Sequence, residues 1–387
     1  MYLFNPDNDL ALAHFGLNYT PPASARKMAQ DLALLPLWYG GDESVVAEGR
    51  LNGEYLSQLK SLFPIKSELL AFHEIPDYQQ ETFKPWGWNP ALRKRLLGVG
   101  VREGELPSLA DLERLREYSN RKNAVKMLGA LKAFNPHFCG ESHFFTDLAE
   151  LRAYLSSSDG DKLLKMPLSG SGKGIVRIVG AITEKQQDWC RRVIQQQGGV
   201  VAEPVFDKVQ DWAMEFEMKD GKARFVGYSL FSAAASGTYV GNELLPENEM
   251  ESRLCELVDL EIIEALKSAL EKELSANFSL FFGFLGVDMM FCRNADGKFS
   301  LHPCVEINVR MNMGLVAHCF RKRFVNPVSK GVFRIAYFKR EDEALSFVAK
   351  MREKYPLSFV DGKIRSGFLP LTATDGDTNY VAFAIIG

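Results

Sequence analysis

Three polar residues at alternate positions are the strongest candidates for chemistry in this chain. They are Glu306, Asn308 and Arg310, in the pentapeptide Glu-Ile-Asn-Val-Arg. The pentapeptide is typical of a β-strand, and side chains at alternate strand positions point to one face of a sheet. A carboxylate and an amide supply oxygen ligands for Mg²⁺, and a guanidinium donates to phosphate or to a developing oxyanion. We therefore expect a nucleotide site on this face, with Asp288 on the apolar run upstream.

A glycine-rich loop at residues 168–174, Leu-Ser-Gly-Ser-Gly-Lys-Gly, is the second candidate. Glycines let backbone N–H groups approach phosphate oxygens closely, so such a loop can fold over a polyphosphate. The loop is not a Walker A motif, because Pro167 replaces its first glycine and Gly174 replaces its Ser or Thr. It is not a dinucleotide fingerprint either, because a strand rather than a helix is predicted to follow it. For the loop alone, an ordinary hairpin remains the alternative.

The composition sets broad limits on the class of protein. A chain of 387 residues with 46% hydrophobic content is large enough for two or three domains. Its 46 basic and 49 acidic residues nearly balance, which argues against a nucleic-acid binder. No apolar run reaches the roughly 18 residues that span a bilayer, and the first residues lack a signal-peptide pattern. We expect a cytoplasmic protein whose six cysteines, none in a CxxC motif, are buried thiols.

Strand and helix signals alternate at the start of the chain. An apolar segment at residues 2–4, a helical pattern at 24–35 and a second strand candidate at 36–39 predict an open parallel sheet. The pattern then changes twice, at the glycine-rich loop and at the carboxylates. We divide the chain into an N-terminal αβ domain (1–115), a region with the glycine-rich loop (116–198), a region with the carboxylates (199–330) and a mixed C-terminal extension (331–387).

Further elements follow from periodicity and turn signals. Ser108 is predicted to cap the helix that leads out of the first domain. The aromatic loop at 84–89 is either a substrate platform or a packed hydrophobic segment. The small polar stretch at 232–241 is a candidate substrate or lid loop. Helices are predicted at 52–72, 90–98, 122–134, 144–155, 184–197, 249–274 and 341–354, strands at 162–167, 175–179 and 200–204, and hairpin turns at 219–222 and 294–297.

From about residue 115 to 325 the chain resembles the ATP-grasp superfamily. The resemblance is carried by polar residues in the order, and with nearly the spacing, of that family. These residues are Lys165, Glu203, Asp211, Asp288, Glu306, Asn308 and Arg310. It implies a fold of mixed α/β and α+β type, in which two lobes clasp ATP. The first domain is similar in architecture to the αβ domain that precedes many ATP-grasp cores.

The resemblance also implies a role for each matching residue. ATP and Mg²⁺ are the implied cofactors, and Lys165 and Arg310 are the implied catalytic residues. Lys126 is an alternative to Lys122 as the lysine at the helix start. Lys122 and Lys165 are implied to contact the phosphates, and the loop residues Ser169, Gly170, Ser171, Gly172 and Gly174 are implied to close over them. Glu203 and the backbone N–H of Val205 are implied to recognise adenine, and Asp211 is implied to bind the ribose. Asp288, Glu306 and Asn308 are the implied Mg²⁺ ligands, and Arg310 is implied to contact the oxyanion.

The implied reaction is the ATP- and Mg²⁺-dependent joining of a carboxylate to an amine through an acyl phosphate. The implied partners are small-molecule or peptide carboxylates and amines, with no nucleic acid and no membrane. A phosphotransferase on the same fold and a non-catalytic nucleotide-binding protein remain alternatives. His302, His318 and Cys304 lie close to the carboxylates in the sequence, and we interpret them as packing residues rather than ligands.

Overall fold

The computed structural model describes residues 1–49, 52–78, 81–157, 159–170, 174–234, 237–340 and 342–387. The helices of this part of the chain are α1 Asn8–His14, α2 Ala23–Asp31, α3 Gly53–Leu62, α4 Pro90–Gly98, α5 Leu109–Tyr118, α6 Lys122–Phe134, α7 Leu148–Ser157, α8 Glu184–Gln197, α9 Glu247–Cys255, α10 Leu260–Asn277, α11 Met313–Phe324 and α12 Glu343–Lys354. The strands are β1 Tyr2–Leu3, β2 Val45–Ala47, β3 Leu69–Ala71, β4 Lys84–Pro85, β5 His143–Phe145, β6 Lys162–Lys165, β7 Ile175–Ile178, β8 Val200–Pro204, β9 Lys208–Lys219, β10 Lys222–Ala233, β11 Tyr239–Leu244, β12 Gly283–Arg293, β13 Phe299–Asn308, β14 Gly331–Tyr337, β15 Ser358–Val360, β16 Lys363–Pro370 and β17 Tyr380–Ile386.

The first sheet has the order β3-β2-β1-β4, and all its strands are parallel. This pairing agrees with the predicted αβ alternation. The strand predicted at residues 36–39 is wrong, because Leu35–Trp38 is a 3₁₀ helix. Pro36 has the fixed φ that suits a helical turn, and its carbonyl accepts the N–H of Gly40 at 2.7 Å. The second strand of the sheet is instead β2.

A small antiparallel sheet, β5-β8-β6-β7, contains the glycine-rich loop as the connection from β6 to β7. Helix α8 has the predicted bounds and begins with a capping box between Thr183 and Gln186. The predicted helix at 144–155 is wrong at its start. Phe144 belongs to β5, where it pairs with Val201, and α7 begins only at Leu148.

The largest sheet has nine strands in the order β13-β12-β9-β10-β11-β14-β17-β16-β15. Strand β14 pairs with both β11 and β17, so the predicted boundary near residue 331 falls within this sheet. The C-terminal strands also contact the first domain. The indole Nε1 of Trp38 donates to the carbonyl of Leu371 at 2.6 Å, and the hydroxyl of Tyr55 donates to the carbonyl of Pro370 at 2.5 Å. The two ends of the chain therefore share one hydrophobic core.

Two long predicted helices are interrupted. The helix predicted at 52–72 ends at Leu62, because Phe63 precedes Pro64 and takes an extended backbone. The helix predicted at 249–274 is two helices, α9 and α10. The turn between them packs Leu257 and Val258 against the core, and Asp259 is extended before α10. No glycine or proline marks this break in the sequence.

Alternation along β9 separates the core from the cleft. Trp212, Met214 and Phe216 are fully buried on one face, against α6 and α10. Burying each such side chain stabilises the fold by about 1.5–3 kcal/mol. Ala213 and Glu215 lie on the opposite face and line a cavity. The hydrophobic core thereby fixes the face that carries the candidate site.

The remaining sequence predictions concern caps, thiols and membrane spans. Ser108 forms the predicted cap of α5, in a capping box with Asp111. The predicted last helix begins at Glu343, and Glu341 lies outside the described residues. The six cysteines are free thiols, but the predicted burial holds only for Cys190, Cys292 and Cys304, because Cys139 and Cys319 are half-buried and Cys255 is exposed. Within the described ranges, no helix has the length and apolarity that crossing a membrane requires.

Candidate active site

The structure brings three polar residues of β12 and β13, and Arg310 just beyond them, to one cavity of about 210 Å³. Asp288 and Glu306 are direct partners across the antiparallel pair of strands. The amide Nδ2 of Asn308 donates to Oδ2 of Asp288 at 3.0 Å. Arg310 follows the end of β13 and lines the same cavity. The four side chains therefore share one face of the sheet, as the alternating pattern predicted.

The two facing carboxylates repel one another in a poorly solvated place. Desolvation, followed by the charge of Glu306, raises the pKa of Asp288 to about 8. A divalent cation would relieve both effects, because it favours the ionised carboxylates. This donor set of two carboxylates and an amide fits Mg²⁺, which binds through one or two carboxylates together with phosphates. In the described part of the chain, no three His, Cys, Asp or Glu side chains converge on a metal position.

Arg310 is held by a residue of the first domain. Its Nε and Nη2 donate to the carboxylate of Asp9, on α1, at 2.6–3.0 Å. Its Nη2 also donates to Oδ1 of Asn308 at 3.2 Å. Burial opposes the charge of Arg310, but the carboxylate of Asp9 offsets this, and the pKa of the guanidinium is raised. Arg310 is therefore a fixed cation, and the first domain takes part in the site.

The cation at the start of α6 that reaches the site is Arg121. It is buried, and its Nη2 donates to Oε1 of Glu306 at 2.6 Å. Its Nη1 donates to the hydroxyl of Ser169 and to the carbonyl of Met166, both at 2.6 Å. Lys122, which the resemblance selected, is not brought to the cavity, because its Nζ pairs with Glu117 on the protein surface. Arg121 thus connects the glycine-rich loop to the carboxylates.

The glycine-rich loop approaches the first domain as well. A Cβ at Gly170 would lie 3.3 Å from Oδ2 of Asp9, so the loop backbone passes close to the carboxylate that holds Arg310. The N–H of Met166 donates to the carbonyl of Gly174 at 2.8 Å and closes the loop base. Two predicted phosphate-binding residues, Ser171 and Gly172, lie outside the described residues, as does the neighbouring Lys173.

Lys165 and Glu203 form a buried ion pair on the small sheet. Lys165 Nζ lies 2.5 Å from Oε2 of Glu203, and Ser142 donates to the other carboxylate oxygen at 3.1 Å. The backbone N–H of Val205, which is predicted to meet adenine, has a partner within the protein. That N–H donates to the carbonyl of Asp161 at 3.0 Å, because this pair continues the ladder between β6 and β8.

Three further residues from the sequence analysis lie on β9 and β13. Asp211 lies at the start of β9, and its carboxylate pairs with Lys208 at 2.5 Å. His302 is fully buried with its ring edge-on to Phe206, and burial lowers its pKa to about 4. Cys304 is buried, and burial raises the pKa of its thiol. Both packing interpretations agree with this burial.

The inner end of the cavity contains polar residues that the sequence did not single out. Glu215 is 1% exposed, and Nδ2 of Asn312 donates to its Oε2 at 2.7 Å. Nearby, Nδ2 of Asn242 donates to the hydroxyl of Ser229 at 2.6 Å. The available signal for Glu215 was a single acid in the otherwise apolar segment 212–216. For Asp9 it was a polar turn after the first strand, since ligands bind at the carboxyl ends of parallel strands.

Comparisons with known proteins address the fold. No protein-family model and no curated protein sequence matches the chain. Two solved structures are similar over all of it: a biotin carboxylase–βγ-ATP complex from Campylobacter jejuni (TM-score 0.54, 10% identity, 87% of that chain) and an ADP complex of N5-carboxyaminoimidazole ribonucleotide synthetase (TM-score 0.51, 11% identity, 91% of that chain). Both are ATP-grasp enzymes. The chain therefore has the ATP-grasp fold, in agreement with the resemblance in its polar residues.

Proposed function

We propose that the protein is an ATP- and Mg²⁺-dependent ligase that joins a carboxylate to an amine through an acyl phosphate. The observation that carries the proposal is the facing pair Asp288 and Glu306, in one cavity with a fixed Arg310, on an ATP-grasp fold. The solved structures of similar fold include complexes with ADP and with βγ-ATP, which supports a nucleotide ligand here.

The proposed phosphate end of the site consists of the two carboxylates, Asn308 and Arg121. Asp288, Glu306 and Asn308 would hold Mg²⁺, which when bound supplies positive charge to the phosphate oxygens. Arg121 already joins the loop residue Ser169 to Glu306, so its guanidinium is positioned for a phosphate beside the loop. A guanidinium suits this role because its planar donors match phosphate oxygens.

The proposed nucleoside end lies between the small sheet and β13. The ammonium group of Lys165 has three N–H donors and uses one of them for Glu203, which leaves two for phosphate oxygens. The carboxylate of Glu203 accepts from Lys165 and Ser142 and can accept further hydrogen bonds, so it remains our candidate for binding the adenine amine. Asp211 remains the candidate for ribose. These assignments extend the sequence prediction with the partners that the structure provides.

The proposed reaction has two steps. A carboxylate oxygen of the substrate attacks the γ-phosphorus of ATP, the bond to the bridging oxygen breaks, and ADP leaves. The amine nitrogen then attacks the carbonyl carbon of the acyl phosphate, phosphate leaves, and one proton is released. Arg310, fixed by Asp9, would stabilise the oxyanion of the tetrahedral intermediate. One such preorganised donor is typically worth about 3 kcal/mol of barrier.

The proposal is tested with Glu306→Gln. Purified wild-type protein and variant are incubated with ATP, Mg²⁺ and a panel of amino acids, and ADP, phosphate and new amides are quantified. We expect the variant to lose at least about 100-fold in turnover, because losing even an outer-shell partner of a metal site costs about 10–100-fold. The melting temperature of the variant is measured alongside, because the change also removes the charged partner of the buried Arg121.

Glu217→Gln is the matched control, since it makes the same change on β9 outside the cavity. Equal turnover of Glu306→Gln and wild type would remove Glu306 from the metal site. A stable phosphorylated product in place of an amide would indicate the phosphotransferase alternative. Binding of ATP without turnover would indicate the non-catalytic alternative.

A further inference from the structure

Glu215 is a buried carboxyl group at the inner end of the reaction cavity. It lies on the cavity face of β9, directly opposite Gly286 of β12 and two positions from the partner of Asp288. Asn312 donates to Oε2, and among the described residues no hydrogen bond reaches Oε1. One oxygen is therefore anchored, while the other is left for a donor that the described chain does not provide.

The surroundings of Glu215 are shaped to admit a carboxylate. A Cβ at Gly286 would lie 2.5 Å from Oε2, and a Cβ at Gly314 would lie 2.2 Å from Oε1. Real Cβ atoms do not approach so closely, so any larger residue at either position would displace the carboxyl group. Gly314 is in the first turn of α11, after its cap Asn312. The two glycines and the amide thus build a seat for this side chain.

The charge around this seat is unbalanced. Arg310 is the cation that influences Glu215, and it already forms a bidentate pair with Asp9. Desolvation, together with the nearby charge of Asp288, raises the pKa of Glu215 to about 8, although the hydrogen bond from Asn312 and the charge of Arg310 oppose the rise. An ammonium group brought by a substrate would supply the missing charge and would donate to Oε1.

The rest of the cavity limits the substrate that carries this group. Its volume of about 210 Å³ is below the roughly 300–1,000 Å³ of pockets for drug-sized ligands. Pro6, Met28, Trp86 and Met313 form an apolar wall, of which three residues come from the first domain. A small molecule with an apolar side chain fits this wall, with its polar end toward Glu215.

We infer that the nucleophile is a small amine with an apolar side chain, and that Glu215 binds its amino group. The inference rests on the proposed function, because it assigns the amine substrate of the same site. Glu215 lies beyond the proposed Mg²⁺ ligands and Arg310, which face the reacting carboxylate. The amine would therefore sit next to the acyl phosphate, with its nitrogen held between the carboxyl group and the carbonyl carbon.

The test measures binding as well as activity. Full-length protein with Mg²⁺ and a non-hydrolysable ATP analogue is titrated with the amides of glycine, alanine, valine, leucine and methionine, and stabilisation is followed by thermal shift. Leucinamide is compared with 4-methylpentanamide, which lacks only the amino group. We expect at least one amino acid amide to bind. Its analogue without the amino group, and Glu215→Gln protein, should each bind about 10- to 100-fold more weakly.

In turnover, Glu215→Gln should raise the KM for the amine by the same factor and leave the KM for ATP unchanged. Glu217→Gln on the same strand is the control and should match the wild type. Glu215→Asp, which keeps the charge, should recover part of the affinity. The ATP analogue should still stabilise both variants at position 215, which would show that they are folded.

Three results would overturn the inference. They are equal binding of leucinamide and its analogue by the wild type, no binding of any amide in the panel, and a Glu215→Gln variant that needs more Mg²⁺ with an unchanged amine KM. The last result would make Glu215 a metal ligand. Failure of the proposed function would look different: the wild type would form no ADP with any carboxylate, whether or not the amides bind.

Discussion

The acidic residues on the two sides of the cleft differ in how their charge is balanced. On the small sheet, Glu203 is buried together with the cation Lys165, 2.5 Å away. On the large sheet, Asp288 and Glu215 accept hydrogen bonds from amides, and desolvation raises the pKa of each to about 8. The charge of Glu203 is neutralised within the protein, whereas Asp288 and Glu215 form no ion pair of their own with the described residues.

The difference indicates which side depends on a ligand. A buried carboxylate with its own cation is satisfied by the fold, so its main contribution is structural and geometric. Carboxylates without a cation are ionised at neutral pH only when positive charge arrives from outside. Mg²⁺ at Asp288 and a substrate amine at Glu215 would be such charges. We therefore expect substitutions in the ion pair of the small sheet to change the stability of the fold, and substitutions of the carboxyl groups on the large sheet to change ligand binding.

Breaking the balanced pair should give the largest change in stability. Lys165→Met leaves Glu203 buried without its cation, and losing one partner of a buried pair costs about 3–5 kcal/mol. The double variant Lys165→Met/Glu203→Gln should recover most of that loss, because no uncompensated charge remains. Urea unfolding at pH 7 measures both free energies. If Lys165→Met alone were as stable as the wild type, the charge of Glu203 would not depend on Lys165 for compensation.

Replacing an unbalanced carboxyl group should give a change in stability that depends on pH. Between pH 4.5 and about 8, folded Glu215 retains a proton that the unfolded chain has lost, so rising pH lowers the stability of the wild type. Relative to Glu215→Gln, the wild type should lose up to about 1.4 kcal/mol per pH unit. Unfolding free energies at pH 5, about 6.5 and 8 would measure the slope.

The direction of this slope is the decisive feature. The relative stability of the wild type is greatest below pH 4.5 and levels off above about pH 8. A slope of the opposite sign for Glu215→Gln would mean that Glu215 has a cationic partner in the folded protein, and the contrast between the two sides would disappear.

The smallest effect is expected for an exposed pair on the same small sheet. Arg177 and Asp161 lie 2.7 Å apart, but the arginine side chain is 59% exposed. Arg177→Met should cost less than about 1 kcal/mol, because solvent screens such pairs. Urea unfolding of this variant beside Lys165→Met compares the two pairs directly. Equal losses would indicate that burial does not determine the importance of these ion pairs.

Local patterns predicted much of the secondary structure. Helices α6 and α8 have their predicted bounds, and β9 and β10 meet at the predicted turn. Each depends on neighbouring residues, such as the capping box that begins α8. The continuous helix at 249–274 was wrong because its interruption is decided by packing of Leu257 and Val258 on the core. Apolar periodicity does not record such a contact.

In the candidate site too, some features follow from neighbouring residues and others only from packing. Alternation along β13 was sufficient to place Glu306, Asn308 and Arg310 on one side of the sheet. The sequence analysis weighed Lys122 against Lys126 and did not consider Arg121. Arg121 and Lys122 are neighbours at the start of α6, and only the docking of this helix decides which of the two side chains faces the loop. Glu215 was missed because burial among glycines, rather than a motif, makes it unusual.

The sequence by itself determined which strand face would carry two carboxylates, an amide and a guanidinium, because the side-chain period of a strand is a local property. Only the tertiary structure decided that Asp9, 301 residues earlier in the chain, fixes Arg310, and that Arg121 joins the glycine-rich loop to Glu306. These contacts arise when the first domain and the small sheet pack against the large one. Packing between distant segments depends on the whole fold, so no short pattern encodes it.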